Sequence, residues 1–312
     1  MIRNILFPVV AISFLLLGCK SSKKATLAED NIKEYLTYLA SDELEGRKTG
    51  TQGIEKAAVY IEDVFKKSKL KPYYQTYRDS FSFIGKTGYN LIAFQEGTDR
   101  KLKDEIIILG AHYDHIGRIR EAIGSDDIAN GANDNASGTA AVLALADYFA
   151  KQPTKRSLMF VLFSAEEEGL LGAKHLAQRL KNEKANIYFV LNYEMIGVPL
   201  PHNVYTAYLT GYEKSTMAKE FNMGQEKPLL GFFEKEKSFQ LFYRSDNFPF
   251  YEALNIPSHT LCTFDFSNYE YYHHVNDELD QLDIKHIQNL VQATIKQLTR
   301  IGNASERLIK LH

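Results

Sequence analysis

Three short runs in this chain are uninterruptedly apolar: "IIILGA" (106–111), "LMFVLF" (158–163) and "IYFVL" (187–191). A strand with one wet face alternates polar and apolar residues. A strand without that alternation is covered on both faces, which is the condition of the inner strands of a parallel sheet. Between and around these runs lie stretches with helical spacing. They are "GTQGIEKAAVYIEDVFKKSKL", with its closing lysines, "ASGTAAVLALADYFAKQ" and "GLLGAKHLAQRLKN". A further helix is expected from "AEDNIKEYLTYLA" and another around "DNFPFYEAL", with a strand around "SHTLCTF" and a terminal helix from about Asp283. Strands alternating with helices predict the α/β class: an α/β/α sandwich on a mixed, centrally parallel sheet. No Pro/Gly-rich linker divides residues 29–312, so they read as one domain.

The start of the chain is different in kind. "MIRNILFPVVAISFLLLGC" has a basic beginning, an apolar stretch and small residues before Cys19. That is the layout of a secretory signal, too short and too poorly flanked for a membrane span. Its ending, "LLGC", resembles the bacterial lipobox, which implies a signal peptide over 1–18 and lipidation of Cys19. Residues 19–28 then read as a lipidated cysteine with a polar tether. The expected location is the bacterial cell envelope, anchored by lipid and facing the periplasm. With Cys19 lipidated, Cys262 is the other of two cysteines in the chain and reads as a buried, inert thiol. A formal net charge of −2 lacks the basic surplus that nucleic-acid binding needs. No membrane partner is expected beyond the anchor, and the chain is expected to act as a monomer.

Sheets of this class place ligand sites beyond the carboxyl ends of their strands. "EIIILGA" is followed by His112, Tyr113, Asp114 and His115, and Asp134 stands at a helix entrance in "GANDNASG". "SLMFVLFSA" is followed by Glu166, Glu167 and Glu168, "IYFVLNY" by Glu194, and "SHTLCTF", after a loop, by His273 and His274. Each has an ordinary explanation alone. Aspartate caps helices, and glutamates in a helix's first turn gain roughly 0.3–1 kcal/mol each from its dipole. Five strand ends delivering carboxylate or imidazole to one rim are harder to explain that way. Together they form a donor set for divalent metals such as zinc, whose charge offsets the repulsion within "SAEEEGLLG".

These motifs, with "SDELEGRKTGTQG", "NYEMIG", "RSDNFPFYEALNIPS" and "YYHHVND", run in an order that resembles the co-catalytic zinc aminopeptidases of metallopeptidase family twenty-eight, from about Ala28 to the C-terminus. The resemblance implies two zinc ions. It makes His112 a ligand of one metal, Asp114 the carboxylate that steadies that imidazole, and Asp134 the bridge between both metals. Glu166 becomes the general base, Glu167 a ligand of the other metal, and Glu168 a helix-start charge. Glu194 stands where the family usually has Asp and is retained as the second ligand of the His112 metal. His273 is chosen over His274 because Asp277 follows it by four residues.

The activity implied is removal of N-terminal residues from peptide substrates by a metal-activated water, with Glu166 carrying the proton. Alternatives are a glutaminyl cyclase, or a carboxypeptidase or dipeptidase of the same clan. From another class comes a binding protein that keeps the fold without catalysis. The aromatic-rich stretches "GFFEKEKSFQLFYRSDNF" and "FDFSNYEYY" are either core or the lining of an apolar pocket.

Overall fold

The computed structural model of the protein describes residues 29–202 and 204–312. The signal peptide, Cys19 and the tether lie outside the described residues. Helices α1 (Glu29–Leu39) and α2 (Gln52–Lys67) lead into strands β1 (Lys71–Pro72), β2 (Arg78–Phe83), β3 (Lys86–Gln95) and β4 (Ile106–His112). After a hairpin of β5 (Gly117–Ile123) and β6 (Asp126–Ala129), the chain alternates through α3 (Gly138–Lys151), β7 (Ser157–Phe163), α4 (Leu171–Asn182) and β8 (Ile187–Glu194). It continues through β9 (Ala207–Leu209), α5 (Met217–Asn222), β10 (Leu230–Gly231), α6 (Glu236–Phe239), α7 (Asn247–Leu254), β11 (Ser258–Cys262) and α8 (Ile284–Asn303).

The main sheet runs β1-β3-β7-β4-β8-β11-β9-β10, with β2 beside β3. Its centre, β7-β4-β8-β11, is parallel, and β3 and β9 flank it antiparallel. The apolar runs are these central strands, and all seven residues of β4 and of β7 are buried. Alternate residues serve opposite layers. Ile107 and Leu109 of β4 pack with α1, α2, α3 and α8, whereas Ile106 and Ile108 join Leu176, Leu180 and Phe250 of α4 and α7. Both faces are therefore covered, as an α/β/α sandwich requires. Truncating one such side chain to alanine costs about 2–5 kcal/mol.

Register sets the site. His112 lies opposite Phe163, Gly110 opposite Asn192, and Glu194 opposite Cys262. The carboxyl ends of β4, β7, β8 and β11 thus finish at one level, and the loops that follow them share one rim. Helix α8 is started by Asp283, whose carboxylate accepts the His286 N–H at 2.8 Å, an N-cap. No helix among the described residues is long and apolar enough to cross a membrane.

Candidate metal centre

Each donor is aimed by the loop that carries it. The residues of "GANDNASG" that do not carry the chemistry are tied to the turn after β8. Asn133 Oδ1 accepts the Gly197 N–H at 2.8 Å, Asn135 Oδ1 accepts the Met195 N–H at 3.1 Å, and Ser137 Oγ accepts the Ile196 N–H at 3.0 Å. Gly138 is required because a Cβ there would sit 2.3 Å from the Tyr193 carbonyl oxygen. The Asp134 loop is therefore stitched to the Glu194 loop. From the other side Asp277 accepts the N–H groups of Asn133 (2.7 Å) and Asp134 (3.0 Å) and the Tyr269 hydroxyl (2.6 Å).

Beneath the centre, the wholly buried Arg47 donates to the carbonyls of Leu39, Tyr113, Asn130 and Gly131. It joins the loops that carry Asp114 and Asp134. Burial lowers its pKa to about 10, against the pull of the nearby carboxylates.

Asp134 faces two donor groups with its two oxygens. Oδ1 is 3.4 Å from His112 Nε2, and Oδ2 is 3.3 Å from His273 Nε2. On the first side Glu194 Oε1 lies 3.0 Å from His112 Nε2. The glutamate's longer arm reaches, held by the Ser245 hydroxyl, which donates to Oε2 at 2.7 Å. On the second side Glu167 Oε2 lies 3.1 Å from His273 Nε2.

Glu166 belongs to the wall beside His112 and Glu167. His274 points elsewhere, its Nδ1 accepting the Asn276 N–H at 3.0 Å. His112, Asp134, Glu167, Glu194 and His273 are thus brought together, with Glu166 among them.

Asp114 faces His112 twice: its main-chain oxygen takes the Nδ1–H at 3.1 Å, and its carboxylate stands 3.8 Å from the same nitrogen. The carboxylate also accepts the Glu166 N–H and the Thr49 hydroxyl, each at 3.2 Å, and so holds the glutamate loop as well. One role differs from the expectation. Glu168 is not a helix-start charge. It lies in the turn before α4, which has no acidic residue in its first turn, and it pairs with Lys48 at 3.5 Å.

His115, just beyond the end of β4, has no role assigned to it from sequence. Its Nδ1 lies 2.9 Å from Glu167 Oε1, within a cluster of Asp134, Glu167 and His273.

His112 and His115 are hydrogen-bonded to Glu194 and Glu167, but one donor atom is left without a bond. His273 Nε2 stands close to two carboxylates, yet it makes no hydrogen bond. Buried polar atoms left so are rare, and a cation beside this one would satisfy it. The electrostatics agree. Burial would lower the His273 pKa, but Asp134 and Glu167 raise it to about 10. Burial and Asp134 would raise Glu167, but His115 and His273 bring it down to about 2. Protons on the imidazoles supply the positive charge that a metal displaces on binding. The donor set therefore fits divalent zinc: His112, Asp134 and Glu194 on one side, and Asp134, Glu167 and His273, with His115, on the other.

A family model described as "Peptidase family M28" matches residues 90–298, more than half of the chain, and that stretch contains all of these donors. The chain belongs to peptidase family M28. The M28 chain is 30% identical over 200 residues to a probable zinc metalloprotease of Pyrenophora teres f. teres, a match taking in 57% of this chain and 42% of that protein. It spans less than half the length of the curated relatives it matches. Its fold is that of BSAP, a zinc aminopeptidase from Bacillus subtilis, with TM-score 0.71 and 15% identity, over 91% of this chain and 98% of that one. It is also that of a glutaminyl cyclase from Bacteroides thetaiotaomicron, with TM-score 0.67 and 17% identity, over 89% and 99%.

Some of the chain's left-handed non-glycine residues stand at the same rim. Ala165 (φ 57°), Met195 (φ 43°) and His273 (φ 57°) all adopt left-handed backbone. They stand immediately before Glu166, immediately after Glu194, and at the His273 donor itself. Such conformations cost of order 1–3 kcal/mol each and collect at functional sites.

Proposed function

We propose that this M28 chain is a zinc-dependent aminopeptidase with two metal positions bridged by Asp134. The observation that carries the reading is the presentation of the two Asp134 oxygens to two separate donor groups, His112 with Glu194 and His273 with Glu167. Bound there, zinc supplies Lewis acidity that polarises a carbonyl and lowers the pKa of water.

The chain's own residues do the rest. Glu166 removes the proton from the attacking water and returns it to the leaving amine. Its place beside His112 and Glu167 puts it against the candidate metal positions. Glu194 and Glu167 orient the centre through His112 and His273, and the acidic wall receives the substrate's free α-amine.

The other walls of the cleft include Met195, Tyr208, Leu241, Phe264 and Phe266. Tyr272 also lines it, its ring stacked on His273 at 4.0 Å between centroids. An apolar N-terminal side chain suits that lining. Cys262 at the same cleft takes no part, because burial pushes its thiol up to about 12.

The test is a panel of aminoacyl anilides, with and without added zinc, alongside metal analysis of the purified protein. Zinc-dependent release from leucyl anilide with about two equivalents bound supports the reading. Conversion of a glutaminyl substrate to pyroglutamate with no anilide hydrolysis would replace it with a cyclase. We infer further, from the lipobox-like ending, that Cys19 anchors the protein to an envelope membrane. Cys19→Ser abolishes lipid labelling in cells if so, and unchanged labelling refutes it.

A further inference from the structure

The cleft carries a cation that the chemistry above does not use. Among the described residues lining it, Arg244 is the one lysine or arginine. Its side chain is exposed, and its guanidinium has no hydrogen-bond, ion-pair or ring partner among the described residues. Several arginines elsewhere are engaged. Arg78 holds Glu55, Arg156 holds Glu105, Arg179 holds Asp79, and Arg300 holds Glu220.

The backbone of Arg244 is nonetheless fixed. Its N–H donates to the Leu241 carbonyl at 3.1 Å. The next residue, Ser245, donates to Glu194 at 2.7 Å and accepts from Asn192 at 2.8 Å. A free guanidinium is therefore tethered one residue away from the group that holds a candidate ligand.

A planar fork of N–H donors matches a carboxylate in bidentate fashion. Of the four carboxylates that line the cleft, Asp134, Glu167 and Glu194 are turned toward imidazoles, and Glu166, the base of the proposed reaction, makes no ion pair with Arg244 among the described residues. The partner that remains is on the substrate. Two residues of extended peptide span at most about 7 Å and three about 10 Å, so a peptide with its first carbonyl at the metal centre ends within this cleft only if it is short.

We propose that Arg244 anchors a substrate carboxylate one or two residues beyond the scissile bond, which makes di- and tripeptides with a free C-terminus the preferred substrate class. This rests on the aminopeptidase reading. The carboxylate comes either from the peptide's C-terminus or from an acidic side chain at its second residue, and the same experiment separates the two.

The zinc-loaded full chain is assayed on leucyl-glycine, leucyl-glycinamide, leucyl-aspartamide and leucyl anilide, in wild type, Arg244→Gln and Arg244→Lys. Wild type hydrolyses leucyl-glycine with kcat/KM at least about tenfold above leucyl-glycinamide, the scale of one charge-assisted contact, and the difference lies mainly in KM. The ratio falls toward one in Arg244→Gln and is partly kept in Arg244→Lys, while metal content stays as in wild type. A preference for leucyl-aspartamide over leucyl-glycinamide that vanishes in Arg244→Gln assigns the carboxylate to a side chain instead. If Arg244→Gln changes neither ratio, or wild type shows neither preference, the subsite is refuted. If wild type cleaves no leucyl substrate at all, the aminopeptidase reading itself fails.

Discussion

Glu166→Gln separates the base from the ligands. The side chain of Glu166 is in no ion pair among the described residues. Its loop is fixed by the main-chain N–H that Asp114 accepts at 3.2 Å, a contact the substitution leaves alone. Glutamine has nearly the same shape but cannot take a proton, so the loss falls on the chemistry. General-base removal costs about 10²–10⁴ in rate, or about 2.7–5.5 kcal/mol of barrier at 1.36 kcal/mol per decade. Glu167 is different. Its oxygens stand 2.9 Å from His115 Nδ1 and 3.1 Å from His273 Nε2, so Glu167→Gln weakens the donor set itself. The assay pairs steady-state hydrolysis of leucyl anilide with metal analysis after dialysis. Glu166→Gln keeps wild-type metal content with kcat down at least about a hundredfold, whereas Glu167→Gln loses metal. The reverse pattern refutes the assignment, because it would put the ligand one residue earlier.

Glu194→Ala removes the partner 3.0 Å from His112 and leaves about one equivalent of zinc after dialysis, held with His115 and His273; two retained equivalents would remove Glu194 from the ligands. Asp277→Ala strips the acceptor from two buried N–H groups and a hydroxyl, each unpaired group costing about 1–3 kcal/mol, so urea unfolding of the metal-free protein shows a loss of about 3–9 kcal/mol, and a loss under about 1 kcal/mol contradicts the account. Burial lowers His259 to about 4, so the unfolded chain takes up its proton near pH 6.5 while the native chain does not, and stability is lost as pH falls from about 6.5 to 4, by up to about 3 kcal/mol. His259→Gln flattens that part of the profile, and identical profiles would refute it. Removal of zinc is accompanied by proton uptake by the protein at neutral pH, measured in weakly buffered solution and corrected for the protons the chelator releases on binding zinc, since the carboxylates hold His112 and His273 above their ordinary values against burial; no uptake after that correction contradicts the donor set.

The inner sheet was legible because β4, β7 and β8 are apolar without interruption, and a buried parallel strand leaves that trace. The edges were not. "RDSFSF" of β2 and the hairpin "GRIREAIGSDDIA" are polar or mixed, as edge strands are, and β10 has two residues, too few for any period. Among the donors, those at strand ends were readable from their place in the sequence. The hold of Asp114 on the Glu166 N–H was not, because only the fold brings the glutamate loop against it. His115 carried a weak signal, since a histidine after a strand is ordinary and only the fold brings it against Glu167.

The small residues around the donors explain why so many short motifs are needed to make one centre. Asp134 cannot be aimed by its own loop alone, which carries its carboxylate into a region already crowded with negative charge. The work is divided: Asn133, Asn135 and Ser137 spend their side chains on the N–H groups of Met195, Ile196 and Gly197, Asp277 holds the Asp134 N–H, and Arg47 ties the loop's carbonyls to that of Tyr113. Each tie runs from loop to loop and none depends on a metal, so the protein rather than the ion fixes the separation of the donors. That is the arrangement a centre needs if it is to hold its geometry while charge moves within it.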